Sequence, residues 1–139
     1  MIVPKRIPAA VVVFLAALSA PLVAAEPAAD TQAGGEKSEL CLNLIRIDSS
    51  KILDSKHMLF IMTDKTMYLN TFPLECPGLK PGDAYKFRTP LNQLCNQDLV
   101  TKMTYGGQGF IPGVSCGLGK FVEISQEQVD ALQQKIKAK

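Results

Sequence analysis

The central hairpin of this chain is contained in one stretch, His57-Met-Leu-Phe-Ile-Met-Thr-Asp-Lys-Thr-Met-Tyr-Leu-Asn-Thr-Phe72. Its first six residues are apolar at both odd and even positions, which predicts a strand that is covered on both faces and central in its sheet. Thr63–Lys65 is typical of a tight turn, and Thr66–Phe72 is expected to return antiparallel. The stretch therefore predicts a β-hairpin.

Short strand-like segments separated by turn residues flank this hairpin. They are Leu42–Ile47, ended by Asp48-Ser-Ser50, then Lys51–Asp54, Ala84–Thr89, Leu99–Met103 and Lys120–Ile124. Lys51–Asp54 is either a separate strand or a bent continuation of the first. This spacing, with no long amphipathic helix between the segments, predicts a mainly β domain over residues 40–124. We expect a small antiparallel barrel or sandwich of five to six short strands.

Three other segments are expected to be irregular or helical. Prolines and glycines between Pro73 and Gly82 predict an irregular connection, and Pro90 at a first helical position predicts one helical turn over Thr89–Leu94. Six of the ten glycines fall within Gly106–Gly119, which predicts a loop.

The C-terminal segment, residues 125–139, predicts an amphipathic helix. Ser125 and Gln128 have the spacing of a capping box, and Val129, Leu132 and Ile136 fall on one helical stripe. The stripe is expected to dock on the β-domain; presentation to a partner protein is the alternative.

The N-terminal residues have the three parts of a secretory signal. Lys5 and Arg6 precede an apolar run at residues 9–18, and small residues end at Ala25. The run is shorter than the roughly 20 residues of a spanning helix, so a cleaved signal peptide over residues 1–25 is predicted rather than an uncleaved anchor. Export predicts a periplasmic or secreted protein.

Residues 26–39 are predicted to form a flexible tether. They contain no large apolar side chain, and they include Pro27 and the Gly34-Gly35 pair. Such a segment buries too little surface to offset the entropy lost on ordering.

The cysteines predict two disulfide bonds. Cys41, Cys76, Cys95 and Cys116 include no Cys-x-x-Cys pair, and an even count in an exported chain is typical of a disulfide framework. Three pairings are possible, and we favour Cys41–Cys76 with Cys95–Cys116 because each would join neighbouring strands. A reactive or metal-binding thiol is the alternative.

The charge balance narrows the class of partner. The chain has 15 Lys and Arg against 13 Asp and Glu, so removal of Lys5 and Arg6 with the signal leaves 13 of each. Zero net charge argues against a nucleic-acid partner, and no membrane insertion is expected after cleavage. With one histidine and no convergent ligand spacing, neither a metal nor another cofactor is expected.

Several motifs match part of a catalytic sequence pattern but lack the spacing or the partner residues that the chemistry requires. Gly113-Val-Ser115-Cys-Gly117 matches a nucleophile elbow, but the sole histidine, His57, lies upstream instead of downstream. Gly117-Leu-Gly-Lys120 lacks the spacing of a phosphate-binding loop. Asp54 and Asp98 could form a carboxylate pair, although nothing in their spacing shows that they meet.

Five residues are candidates for binding: Tyr68, Asn70, Tyr105, Phe110 and Lys120. Tyr68 and Asn70 share a strand face. For Asn70 the alternative is a buried amide satisfied by loop backbone.

Four fragments occur together in the order Tyr68-Leu-Asn70, Cys76-Pro-Gly-Leu79, Leu94-Cys95 with Asp98, and Cys116-Gly-Leu-Gly-Lys-Phe121. With them the chain resembles, over residues 41–124, a family of small exported proteobacterial proteins catalogued as a domain of unknown function. The resemblance implies a periplasmic or secreted, cysteine-bearing, β-rich module in Gram-negative bacteria. It implies no activity and no catalytic residues.

The combined expectation is a non-enzymatic binding or structural module of the cell envelope. Its partner would be an envelope protein or a surface ligand, contacted through the glycine loop at Gly106–Gly109. One alternative is a small hydrolase-like enzyme with a site assembled from Asp54, Asp98, Ser115 or Lys120. Another is a small-ligand carrier with an apolar cavity inside a barrel.

Overall fold

A computed structural model describes residues 36–139. The expected signal peptide and the first ten residues of the expected tether, 26–35, lie outside the described residues. The described part contains ten strands and one α-helix, which confirms the mainly β class and the C-terminal helix. The elements are β1 (Ser38–Glu39), β2 (Cys41–Asn43), β3 (Ile47–Ile52), β4 (His57–Met62), β5 (Met67–Thr71), β6 (Ala84–Arg88), β7 (Gln93–Cys95), β8 (Leu99–Tyr105), β9 (Phe110–Gly117), β10 (Phe121–Glu123) and α1 (Gln126–Lys137).

The strands form three antiparallel sheets. The five-stranded sheet has the order β1-β10-β5-β4-β3, the three-stranded sheet has the order β6-β8-β9, and β2 pairs with β7. These sheets do not close into a barrel. The strand count of five to six was too low because several short pairings, such as β1 with β10, leave almost no pattern in the sequence.

The predicted hairpin is confirmed as β4 and β5, joined by a turn in which Lys65 has a φ of 69°. Alternate residues of β4 enter two different cores. Met58 and Phe60 belong to the main core, whereas Leu59 belongs to a smaller core beneath α1. The prediction of a strand covered on both faces is therefore correct, and β4 is an internal strand between β5 and β3, although β5 is the middle one of the five.

Helix α1 covers one face of the five-stranded sheet. Its capping box is present, with the Ser125 hydroxyl accepting from the Gln128 backbone and the Gln128 side chain accepting from the Ser125 backbone. Val129 is buried against Leu53 and Leu59. The helix is thus docked through its apolar stripe, as expected.

The main core joins the five-stranded sheet to the three-stranded sheet. The Phe60 ring lies 5.7 Å from the Phe87 ring and 5.3 Å from the Phe121 ring, measured between centroids. Val100 and Leu94 are completely buried in the same cluster. Tilted and edge-on aromatic contacts of this kind stabilise a core beyond the area they bury.

Both expected disulfides are present, but the favoured pairing is wrong. Cys41 bonds to Cys95, and Cys76 bonds to Cys116. The first follows from the register of β2 and β7, which places the two residues directly opposite each other. The second ties the connection after β5 to β9. The sequence interpretation assumed that cysteines adjacent along the chain pair, whereas the bonded cysteines are 54 and 40 positions apart.

The expected Leu42–Ile47 strand is interrupted. A 3-10 turn at Leu44–Arg46 follows β2, because the Asn43 side chain accepts a hydrogen bond from the Ile45 backbone. Asp48-Ser-Ser50 does not end a strand but lies within β3, paired with β4. Lys51 and Ile52 continue that strand.

Three further local predictions are corrected. No helical turn forms over Thr89–Leu94, because the Thr89 hydroxyl bonds locally to the Gln93 carbonyl and Gln93–Cys95 pairs with β2. The expected loop at Gly106–Gly119 shrinks to a turn at 106–109, since Phe110–Gly117 pairs with β8. The last two residues of the expected tether, Ser38 and Glu39, pair with β10.

Candidate functional site

The two faces of the three-stranded sheet differ in what covers them. Phe87, Val100 and Cys116 are cross-strand neighbours and pack into the main core. Because side chains alternate along a strand, the neighbouring row points the opposite way. That row contains Lys86, Thr101 and Ser115. We call this side the outer face. Arg88 and Tyr105 have the same parity as Lys86 and Thr101 on their strands, and Phe110 lies opposite Tyr105 because β9 has one extra residue between Pro112 and Ser115.

A basic cleft lies on the outer face. It has a volume of about 570 Å³ and is lined by Lys86, Arg88, Thr101, Gly113 and Ser115, among others. Within residues 36–139, no carboxylate lines this cleft. Neither Lys86 nor Arg88 forms an ion pair with any described residue. The cleft therefore has an uncompensated positive charge.

A pair of hydroxyls forms part of the cleft lining. Thr101 Oγ1 and Ser115 Oγ lie 2.7 Å apart, within hydrogen-bond distance. Thr101 is buried and Ser115 is exposed. Burial favours Thr101 as the donor in this bond, since its hydroxyl then has a partner without water. The Ser115 O–H is then left to donate outward.

The far end of the outer face carries exposed aromatic rings. Tyr105 and Phe110 pair across the β8–β9 hairpin with ring centroids 5.7 Å apart. They are 69% and 60% exposed, and the adjacent Ile111 is 57% exposed. The turn between them includes Gly107 and Gly109, both at positive φ. Large apolar side chains grouped at a hairpin end are typical of contact surfaces.

Asn70 does not face solvent. Its amide donates to the Gly119 carbonyl at 2.7 Å and accepts from the Gly119 N–H at 2.8 Å. A side chain at position 119 would collide with the Thr71 carbonyl, which explains the glycine. The alternative in which loop backbone satisfies Asn70 is confirmed. Lys120, next in the chain, is exposed and lies outside the basic cleft.

Tyr68 lines a second cleft of about 430 Å³ between the 3-10 turn and β5. Both cations of its lining are paired: Arg46 binds Asp64 at 2.8 Å, and Lys37 lies 3.5 Å from Glu39. Glu123 also lines this cleft, so carboxylates outnumber cations there. The Thr66 backbone N–H, followed by the Thr66 hydroxyl and Arg46, holds the pKa of Asp64 below its usual value. Burial raises the pKa of Tyr68, which keeps the phenol protonated.

A third cleft, of about 310 Å³, lies between α1 and the end of β3. Ile52, Leu53 and Ile136 line it, with Lys51 and Lys137 also in its lining. Its two lysines are separate from the cations of the basic cleft.

The residues considered for acid–base chemistry serve the fold locally. Asp54 Oδ1 accepts from the His57 backbone at 2.7 Å and lies 2.9 Å from His57 Nδ1. Asp98 accepts from the Cys95 backbone at 2.6 Å. Neither carboxylate lines the cleft that contains Ser115, and neither does Lys120. The Asp54–His57 contact was missed, although the three-residue spacing at the start of a hairpin could have indicated it.

The two glycine motifs serve the fold. Gly113–Gly117 lies within β9, so Ser115 is not on a turn between a strand and a helix. Leu118 is buried, and Gly119 binds Asn70. No group of three or more His, Cys, Asp or Glu side chains converges within the described residues. In that same part of the chain, no helix is long and apolar enough to cross a membrane.

The two disulfides indicate an oxidising location outside the cytoplasm. Comparison with protein-family models, with curated proteins and with solved structures finds no match to this chain. The resemblance to the exported proteobacterial family therefore stays a prediction.

Proposed function

We propose that this chain is a non-enzymatic binding module of the Gram-negative cell envelope, acting in the periplasm or after secretion. The proposal includes membership of the exported family that the chain resembles. It also includes a sandwich-like scaffold in which the five-stranded and three-stranded sheets act as two packed layers. Two disulfides fit such a scaffold, because they limit the unfolded chain and hold surface strands in place.

The observation that carries this proposal is the exposed aromatic pair Tyr105 and Phe110 at the end of the outer face. Burial of an aromatic side chain is among the largest contributions to binding at an interface. The turn at 106–109 lies directly between the two rings, so the glycine loop expected to make contact is part of the same surface.

Two features support binding over the alternatives. The candidate catalytic groups Asp54, Asp98 and Lys120 lie outside the cleft that contains Ser115, which disfavours a shared hydrolytic site. Phe60 and Phe121 are completely buried in the core that would have to be hollow in a carrier.

Retention of the purified protein on isolated Gram-negative envelope fractions tests the proposal. We expect retention by the unaltered protein and a loss of at least about tenfold in the double variant Tyr105→Ser with Phe110→Ser, because each buried aromatic anchor is worth more than about 1 kcal/mol. The matched control is Leu74→Ser with Leu91→Ser. These two leucines are 82% and 68% exposed but lie outside the outer face. Equal retention of both double variants would contradict the assignment of the surface, and no retention of the unaltered protein would contradict the function.

A further inference from the structure

We propose that the basic cleft on the outer face binds an acidic saccharide, with the anionic group at Lys86 and Arg88 and a sugar ring against Tyr105 or Phe110. This inference rests on the proposed binding function and adds the class of ligand to it. Four features of the outer face carry it.

The first feature is the placement of the two cations. Lys86 and Arg88 are two residues apart on β6, which puts them on the same face with their Cα atoms about 7 Å apart. Within the described part of the chain, no carboxylate lines the cleft. The two cations therefore have no counter-charge there and attract an anionic ligand. Arg88 offers a planar fork of N–H donors that matches a carboxylate or phosphate.

The second feature is the hydroxyl donor beside them. Ser115 lies in register with Thr101 and Lys86 across the three strands. Its outward O–H can donate to a ring oxygen or a sugar hydroxyl, and its lone pairs can accept from one. Mixed donors and acceptors next to cations suit a saccharide, which has both kinds of group.

The third feature is the aromatic end. Tyr105 is four residues beyond Thr101 on β8, about 13 Å along the strand. An isolated inorganic anion at Lys86 would not reach it, whereas an oligosaccharide would. Exposed aromatic rings pack well against the C–H faces of sugar rings, since the ring face is electron-rich.

The fourth feature disfavours an acidic peptide added as a strand. β9 is the edge of its sheet, and its outer side offers backbone groups for such pairing. Pro112, the third of the eight residues of β9, has no N–H to donate. An irregularity between its pairs with β8 also disturbs the strand at this point. A ligand held by side chains therefore fits this face better than one held by a hydrogen-bond ladder.

The test is a titration with an oligogalacturonate and, in parallel, a neutral maltooligosaccharide of the same length. Calorimetry gives the affinity. Tyrosine emission gives the location, because the chain has three Tyr and no Trp, and Tyr105 is the exposed one. We expect the acidic oligosaccharide to bind at least about tenfold more tightly than the neutral one, and more weakly as salt rises.

Two charge variants locate the site. Lys86→Gln with Arg88→Gln is expected to lower the affinity for oligogalacturonate by about tenfold or more, because two charge-assisted contacts are lost. Lys51→Gln with Lys137→Gln, at the third cleft, removes the same charge and is expected to leave the affinity within about twofold.

Four results would overturn the inference. They are equal loss in both charge variants, equal affinity for inorganic phosphate, tighter binding of an acidic peptide, and no binding of oligogalacturonate. The last of these, combined with retention on envelope fractions that depends on Tyr105 and Phe110, would remove the ligand class and leave the proposed function intact. Failure of the unaltered protein to be retained on envelope fractions would instead remove the function.

Discussion

The five-stranded and three-stranded sheets differ in how many of their faces are covered. The five-stranded sheet packs against α1 on one face and against the main core on the other. The three-stranded sheet contributes one face to that core and leaves its outer face in solvent. Polar groups accordingly have different roles. Asn70, in the five-stranded sheet, is buried and bonded through both its amide nitrogen and its amide oxygen, whereas Lys86 and Ser115 on the outer face are exposed.

This difference predicts that substitutions between the sheets change stability, while substitutions on the outer face change binding.

The largest effect is expected from Cys76→Ala with Cys116→Ala. Loss of this bond releases a loop of about 40 residues in the unfolded chain. The chain-entropy estimate gives about 4 kcal/mol of lost unfolding free energy. Urea denaturation measures the unfolding free energy. A loss below about 1 kcal/mol would show that the Cys76–Cys116 bond contributes little to stability.

The second effect concerns the buried amide of Asn70. Asn70→Leu leaves the N–H and the carbonyl of Gly119 without partners, so we expect a loss of about 2–4 kcal/mol in unfolding free energy. Asn92→Leu is the control, because Asn92 is exposed. Similar denaturation midpoints for the two variants would contradict a structural role for Asn70.

The third prediction concerns the exposed aromatic pair, where we expect binding to change and stability to stay nearly the same. Tyr105→Ser with Phe110→Ser is expected to change the unfolding free energy by less than about 1 kcal/mol, because both rings are mostly exposed. The same variant is expected to lose envelope retention. A large drop in its stability would show that the aromatic pair holds the hairpin together.

The smallest effect is a pH dependence at Asp83, where the chain leads into β6. The hydrogen bond from Lys102, at 2.8 Å, and the backbone N–H of Lys80 hold the pKa of Asp83 below its usual value of 3.8. A lowered pKa in the folded state gives stability that is present above the unfolded-state pKa and is lost as pH falls through the folded-state value. Asp83→Asn should therefore be less stable than the unaltered protein at pH 7, with the gap closing below about pH 4. A gap independent of pH in urea denaturation would contradict this linkage.

The parts of the fold that the sequence predicts are those with local patterns. The β4–β5 hairpin follows from an apolar run, a tight turn and a second strand that are adjacent in the chain. Helix α1 follows from its capping box and stripe. For the residues of β9 the sequence predicts a loop, because the glycines and Pro112 oppose strand structure locally. Pairing with β8 and the Cys76–Cys116 bond overcome that preference.

The candidate site likewise has one part that local sequence patterns predict and another that depends on strand pairing. Tyr105 and Phe110 could be selected from the sequence, because aromatic residues beside a glycine-rich turn are conspicuous. The basic cleft could not, because Lys86 and Ser115 are 29 positions apart and meet only through the register of β6, β8 and β9. The disulfide pairing depends on the same kind of information, since three pairings are equally compatible with the spacing.

Hydrogen–deuterium exchange of the purified protein, alone and bound to envelope fractions, tests most directly whether the outer face is the contact surface. We expect slower exchange on binding in β6, in the second half of β8 and in residues 106–115, with no change in α1. Slower exchange confined to α1, or to the cleft around Tyr68, would contradict it.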